Sequence, residues 1–125
     1  MSPSLSRPPF PIPVRVLVAV GAVMMAAAVA LSAYASHGAE GEERIRLWTA
    51  ATFAFGHGLA LAALAPRALR GLTRAALVAA LVGALVFAGT LVAAHVFGTS
   101  TRLAPMGGSL MIFAWLLYGF DALRR

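Results

Sequence analysis

Four runs of this chain contain no charged residue, and each is about as long as a membrane is thick. They cover residues 16–36, 47–65, 75–98 and 103–120. A helix rises about 1.5 Å per residue, so about 20 residues cross a hydrocarbon core of about 30 Å. The runs lack the apolar–polar alternation of strands and are rich in Ala, which disfavours a sheet. We therefore predict an all-α fold, an integral membrane four-helix bundle with short loops.

Composition excludes most soluble classes. Of 125 residues, 61% are hydrophobic and only 14 are charged. A small soluble domain needs polar groups over most of its surface, and soluble chains average about 45–50% apolar residues. The chain has no Cys, which rules out a disulfide scaffold and a cysteine nucleophile. This composition also argues against a soluble enzyme and against a disordered chain. We therefore expect the protein to lie in the lipid bilayer.

The first 13 residues hold five of the seven prolines. Proline fixes φ and removes a backbone donor, so we predict a Pro-rich disordered N-terminal tail over 1–13 and a transmembrane domain over 14–125. Arg7 and Arg15, followed by an apolar stretch and Ala33-Tyr34-Ala35, also fit a cleavable signal peptide, an alternative that the pattern leaves open.

The net charge of +6 comes entirely from arginine and predicts orientation, not nucleic-acid binding. The arginines lie between apolar runs and are not clustered among aromatic residues, so we expect no nucleic-acid partner. With four spans, both termini and the second loop share one side. That side carries seven of the ten arginines: Arg7, Arg15, Arg67, Arg70, Arg74, Arg124 and Arg125. The positive-inside rule then places both termini in the cytoplasm.

Small residues recur at four-residue spacing in the middle two spans, and they predict close helix packing. The stripes are Ala50, Ala54, Gly58 and Ala62 in the second span, and Ala76, Ala80, Ala84 and Ala88 in the third. Within lipid, helices associate by close backbone approach more than by hydrophobic burial. Trp48 is the second residue of the second span and is expected at the outer membrane interface, where indole rings prefer to lie.

His57 is the most informative single residue. It lies ten residues into its run, about 15 Å deep, and ionisable groups at such depth suggest function. The structural alternative is a neutral His that is hydrogen-bonded to a neighbouring helix. His37 and His95 should lie near the outer interface, where a metal shared with Glu40 or Glu42 is conceivable, as is a haem held by His57 and His95. Neither has supporting ligand spacing, so we predict no cofactor and no metal.

Pro105-Met106-Gly107-Gly108-Ser109 opens the fourth span. Two glycines permit close backbone approach or a non-helical entry, and such breaks mark binding sites in some transporters. Helix capping is the alternative interpretation.

Four segments in order resemble a known family: SAYASHG at 32–38, WTAATFAFGHGLAL at 48–61, FAGTL at 87–91, and APMGG followed by AW within 104–115. The chain resembles the YgdD-like family of small bacterial inner-membrane proteins, domain-of-unknown-function family 423, which has eukaryotic relatives. The resemblance implies a multi-pass protein of the bacterial inner membrane but no reaction. Its pattern falls on His37, His57, Gly107 and Gly108, which join Trp48 as candidate functional or packing residues.

No catalytic constellation is found, so we predict no enzyme. The first hypothesis is a non-enzymatic structural, interaction or accessory subunit that binds other membrane proteins or itself. The second is a small oligomeric transporter or channel with His57 near its pathway. The third is a haem- or metal-binding membrane protein.

Overall fold

A computed structural model describes residues 12–124, which form four long helices joined by short loops. The helices are α1 (Ile12–Gly38), α2 (Gly41–Leu64), α3 (Gly71–Phe97) and α4 (Ala104–Leu123), with one 3₁₀ turn, Ala65–Arg67, after α2. All four are long and apolar enough to cross a membrane. The all-α four-helix prediction is confirmed. The disordered tail predicted for 1–13 lies outside the described residues except for Ile12 and Pro13, which begin α1.

Three helices begin several residues before their apolar runs. Charged residues end an apolar run, but they do not end a helix that projects beyond the hydrocarbon. Glu42 and Glu43 lie in the first turn of α2, where carboxylates favour the positive end of the helix dipole. Pro13 lies in the first turn of α1 and Pro105 in that of α4, positions where a missing N–H costs nothing. Gly98 ends α3 with φ of 67°, a left-handed cap.

The helices pack as two hairpins placed side by side. In hairpin I, α1 packs along α2; in hairpin II, α3 packs along α4; and α2 contacts α3 between them. The start of α1, the segment 65–70 and the end of α4 lie together, and we call this the terminal end. The loops 39–40 and 98–103 lie at the opposite end. Thus α1 and α4 flank the bundle, and which end faces the cytoplasm stays a prediction.

Each hairpin crosses at a pair of glycines. A Cβ on Gly21 would lie 2.5 Å from the Gly58 carbonyl oxygen, and one on Gly58 would lie 2.6 Å from that of Gly21. In hairpin II, a Cβ on Gly107 would lie 2.7 Å from the Gly83 oxygen and 2.5 Å from the Phe87 nitrogen. Real Cβ atoms do not approach backbone atoms so closely, so glycine is required at both crossings.

The stripe predicted on α3 is buried throughout, whereas the stripe predicted on α2 is half-buried at Ala54 and Ala62. Ala76, Ala80, Ala84 and Ala88 are all buried along α3, and Ala50 and Gly58 are buried on α2. Large apolar side chains point outward instead, among them Ile112, Phe113 and Leu116 on α4, each at least 60% exposed. Small residues thus lie inside the bundle and large apolar residues lie outside. A lipid environment permits this distribution, because acyl chains solvate leucine as well as a protein core does.

Candidate functional site

His57 lies in the interior of the bundle with both ring nitrogens engaged. Its side chain points from α2 towards α4, and the residue is 9% exposed. Nδ1 lies 2.8 Å from the Phe53 carbonyl oxygen one turn earlier, and Trp115 Nε1 lies 3.0 Å from Nε2. An indole N–H can only donate, so Nε2 accepts and Nδ1 carries the proton. This is the neutral form, and it ties α2 to α4.

A cavity of about 270 Å³ adjoins this hydrogen bond. Its lining residues come from three helices: Phe53, His57, Phe87, Gly108, Met111, Ile112 and Trp115. The Phe53 and Phe87 rings meet edge to face with centroids 4.9 Å apart. Because both His57 nitrogens are already bonded, the walls are almost wholly apolar and suit a hydrocarbon group more than a polar substrate.

The two glycines at the start of α4 have different surroundings. Gly107 lies against the α3 backbone at the crossing, whereas a Cβ on Gly108 would meet only Phe87 Cδ2, at 3.9 Å. Ala104 packs with Ala88 and Leu91. The first residue of α4 therefore lies beside these two residues and not beside Phe97, where α3 ends. Gly107 is therefore a packing residue, and Gly108 is the one of the pair that lines the cavity.

The other two candidates lie elsewhere. His37 is exposed in the last turn of α1. Trp48 is 44% exposed. It lines a groove of about 380 Å³ between α1 and α2, which is separate from the His57 cavity. The five candidates thus divide into a cavity pair (His57 and Gly108), a crossing residue (Gly107), a groove residue (Trp48) and an exposed helix end (His37).

Two polar clusters were missed by sequence reasoning. At the opposite end, Tyr34 Oη lies 3.0 Å from His95 Nε2, and His95 Nδ1 lies 3.4 Å from Glu43 Oε2, which links α1, α3 and α2. The Tyr34 ring also covers Gly38, where a Cβ would lie 2.8 Å from the ring. Tyr34 and His95 are 61 residues apart, so no local pattern reveals them.

The second cluster is at the terminal end. The position of Asp121 at the end of an apolar run suggests pairing with Arg124 or Arg125, or simple solvation. The structure instead buries Asp121 completely, where Thr73 Oγ1 donates to Oδ2 and Arg70 Nη2 lies 3.3 Å from Oδ1. Burial of a carboxylate is costly without such partners, and they join the first turn of α3 to the last of α4.

Ligand-forming groups are scattered in the part of the chain that the structure describes. Residues 12–124 contain no group of three or more His, Asp or Glu side chains that could hold a metal. His57 and His95 bind different partners, Trp115 and Tyr34, in separate parts of the bundle. The haem or metal hypothesis stays a prediction.

One family model matches the chain, over residues 31–108, and its description is "Protein of unknown function (DUF423)". The match runs from the last turns of α1 to the start of α4, and it includes His37, Trp48, His57, Gly107 and Gly108. No curated protein and no solved structure matches the chain significantly.

Proposed function

The chain belongs to the DUF423 family of proteins of unknown function, and we propose that it is a non-enzymatic accessory subunit that binds a transmembrane helix of another membrane protein. The bonding of His57 carries this proposal. An ionisable group at this depth would be the expected reactive or transport group. Here its two nitrogens hold Phe53 and Trp115, which is a structural role.

The groove between α1 and α2 supports the choice of partner. Most of its lining residues are small, and Trp48 and Phe55 are its aromatic residues. The full lining is Ala28, Val29, Ser32, Trp48, Ala51, Thr52, Phe55 and Gly56. Ala28 and Ser32 are four residues apart on α1, as Thr52 and Gly56 are on α2. Small residues at this spacing let helices approach closely in lipid. A Cβ on Gly56 would find no atom within 4 Å, so space for a partner is open.

The experiment fills the groove without touching the bundle interior. Gly56→Leu is compared with Gly89→Leu, because Gly89 is also an exposed helical glycine with nothing within 4 Å, on a different helix. Both variants and the wild type are purified in mild detergent, and bound proteins are quantified by mass spectrometry. We expect one stoichiometric membrane protein with the wild type and with Gly89→Leu, and its loss with Gly56→Leu.

Four results would overturn the proposal. One is recovery of the same proteins with both variants, and another is recovery of lipid alone. The third is a solute flux in liposomes that His57→Ala abolishes, because this would establish the transporter hypothesis instead. A Soret band in the visible spectrum of the purified protein would likewise replace the accessory role by a haem-binding one.

A further inference from the structure

The two ends of the bundle differ sharply in charge. Within residues 12–124, the terminal end carries five arginines and one acid: Arg15, Arg67, Arg70, Arg74, Arg124 and Asp121. The opposite end carries three arginines and three acids: Arg44, Arg46, Arg102, Glu40, Glu42 and Glu43. The three glutamates are exposed, whereas Asp121 is 0% exposed. The surface of the terminal end is therefore uniformly positive, and we call it the basic end.

Two of its guanidinium groups are held in place by the fold. Arg70 is fixed on one edge by the buried Asp121 carboxylate, while its side chain stays 40% exposed. Arg74 Nε donates to the Ala68 carbonyl oxygen at 3.0 Å and Nη2 donates to that of Leu69 at 3.1 Å. Each guanidinium has five N–H donors, so both keep donors for a ligand. A fixed cation loses less entropy when it binds an anion.

Neighbouring elements add exposed arginines around the segment 65–70. Val14 and Leu17 of α1 pack in one cluster with Ala65 and Ala68, which brings Arg15 beside the segment 65–70. Arg67, the last residue of the 3₁₀ turn, is exposed. The basic end thus offers cations from α1, from the loop and from the end of α4.

Exposed leucines lie among these cations. Leu69 is 84% exposed between Arg67 and Arg70, and Leu123 is 87% exposed beside Arg124. Such exposure is unfavourable in water by about 25 cal/mol per Å² of apolar surface. It is favourable where headgroups meet acyl chains, and arginine with adjacent leucine is typical of segments that bind that layer.

We propose that the basic end is a binding surface for the headgroups of anionic phospholipids. Arg15, Arg67, Arg70 and Arg74 contact the headgroup phosphates, and Leu69 inserts among the glycerol and upper acyl groups. Basic sites where transmembrane helices end are known to suit such headgroups. The role is separate from the accessory role, because the basic end and the α1–α2 groove share no residue.

The test compares two double variants that each remove two cations. Arg15→Gln with Arg67→Gln affects the basic end, and Arg46→Gln with Arg102→Gln affects the opposite end. Lipid binding is measured by native mass spectrometry of the detergent-solubilised full chain, titrated with phosphatidylglycerol or phosphatidylcholine. We expect the wild type to prefer phosphatidylglycerol. The basic-end variant should bind it roughly tenfold more weakly, and the other variant should keep wild-type affinity.

A lysine double variant and a salt titration test whether positive charge causes the lipid preference. The lysine double variant, Arg15→Lys with Arg67→Lys, should retain the preference, and rising salt should weaken it in the wild type without any mutation. Equal losses in both glutamine variants would overturn the proposal, as would no preference for phosphatidylglycerol in the wild type. Displacement of the lipid by inorganic phosphate alone would also overturn it, since the ligand would then be a free anion.

Discussion

In both hairpins a pair of glycines lets the two helices approach closely, but the polar contacts at the ends of the two hairpins differ. Hairpin I crosses at Gly21 and Gly58, and hairpin II crosses at Gly83 and Gly107. Only hairpin II adds a buried polar lock, from Thr73 and Arg70 to Asp121. The contacts of His95 with Tyr34 and Glu43 at the opposite end instead join the two hairpins to each other.

This difference separates a hairpin with a buried polar lock from one that is held by apolar packing. Hairpin II is held at its crossing and again at the terminal end, and α3 is the most buried of the four helices. Hairpin I is held at its crossing and by apolar packing at both ends, of Val14 with Ala65 and of Ala35 with Leu47. It also carries the open groove beside Trp48. The buried lock and the open groove therefore lie on different hairpins.

The largest effect should come from the crossings. Gly107→Val and Gly58→Val each force a side chain into the backbone of the facing helix, so each should lower the unfolding free energy by about 3 kcal/mol. Unfolding in mixed detergent micelles, followed by circular dichroism, measures this. Gly108→Ala is the control, and its cost should be near zero because its nearest contact would be 3.9 Å away. Equal losses at Gly107 and Gly108 would disprove the assigned crossing.

The polar lock should rank next and should affect hairpin II. Arg70→Ala leaves the buried Asp121 carboxylate with Thr73 as its remaining donor. We expect a loss of about 2 kcal/mol, below the value for a fully buried pair because Arg70 is partly exposed. Arg67→Ala, an exposed neighbour, should change stability by less than about 0.5 kcal/mol. If the two variants are equally stable, the lock contributes nothing.

The link between the hairpins is tested by Trp115→Phe. The substitution keeps an aromatic ring but leaves His57 Nε2 without its donor, which should cost about 1–2 kcal/mol. The double variant His57→Phe with Trp115→Phe should cost less than the sum of the single changes, because neither polar group is then left unpaired. Additive losses in this double-mutant cycle would mean that the two side chains do not interact.

The smallest effect is expected at Tyr34. Tyr34→Phe removes the hydroxyl that contacts His95, and the loss should be about 0.5 kcal/mol because Tyr34 is 49% exposed and water can replace the bond. The same detergent unfolding assay applies. A loss as large as that of Arg70→Ala would show that the Tyr34–His95 contact locks the two hairpins together at this end.

Much of the fold could be predicted, since four apolar runs of membrane length allow few structures other than four helices. The alanine stripe of α3 was also readable, because helical periodicity places residues four apart on one face. The helices α1, α2 and α3 begin several residues before their apolar runs, since charge marks the edge of the hydrocarbon and not the end of a helix. The candidate site was found only in part: His57 and Gly108 share a cavity, but His37 and Trp48 lie apart from it.

The sequence by itself determined the helices, their apolar character, the family and the excess of arginine in the terminal segments and the second loop taken together. Each of these properties depends either on residues that are close together in the sequence or on the overall composition. Only the tertiary structure decided that His57 binds Trp115, 58 residues away, and that Asp121 is buried against Thr73 and Arg70. It also decided which of two adjacent glycines touches α3. Such pairings depend on how each helix is rotated and shifted against its neighbours, and these two quantities are set by packing between helices, which no single segment encodes.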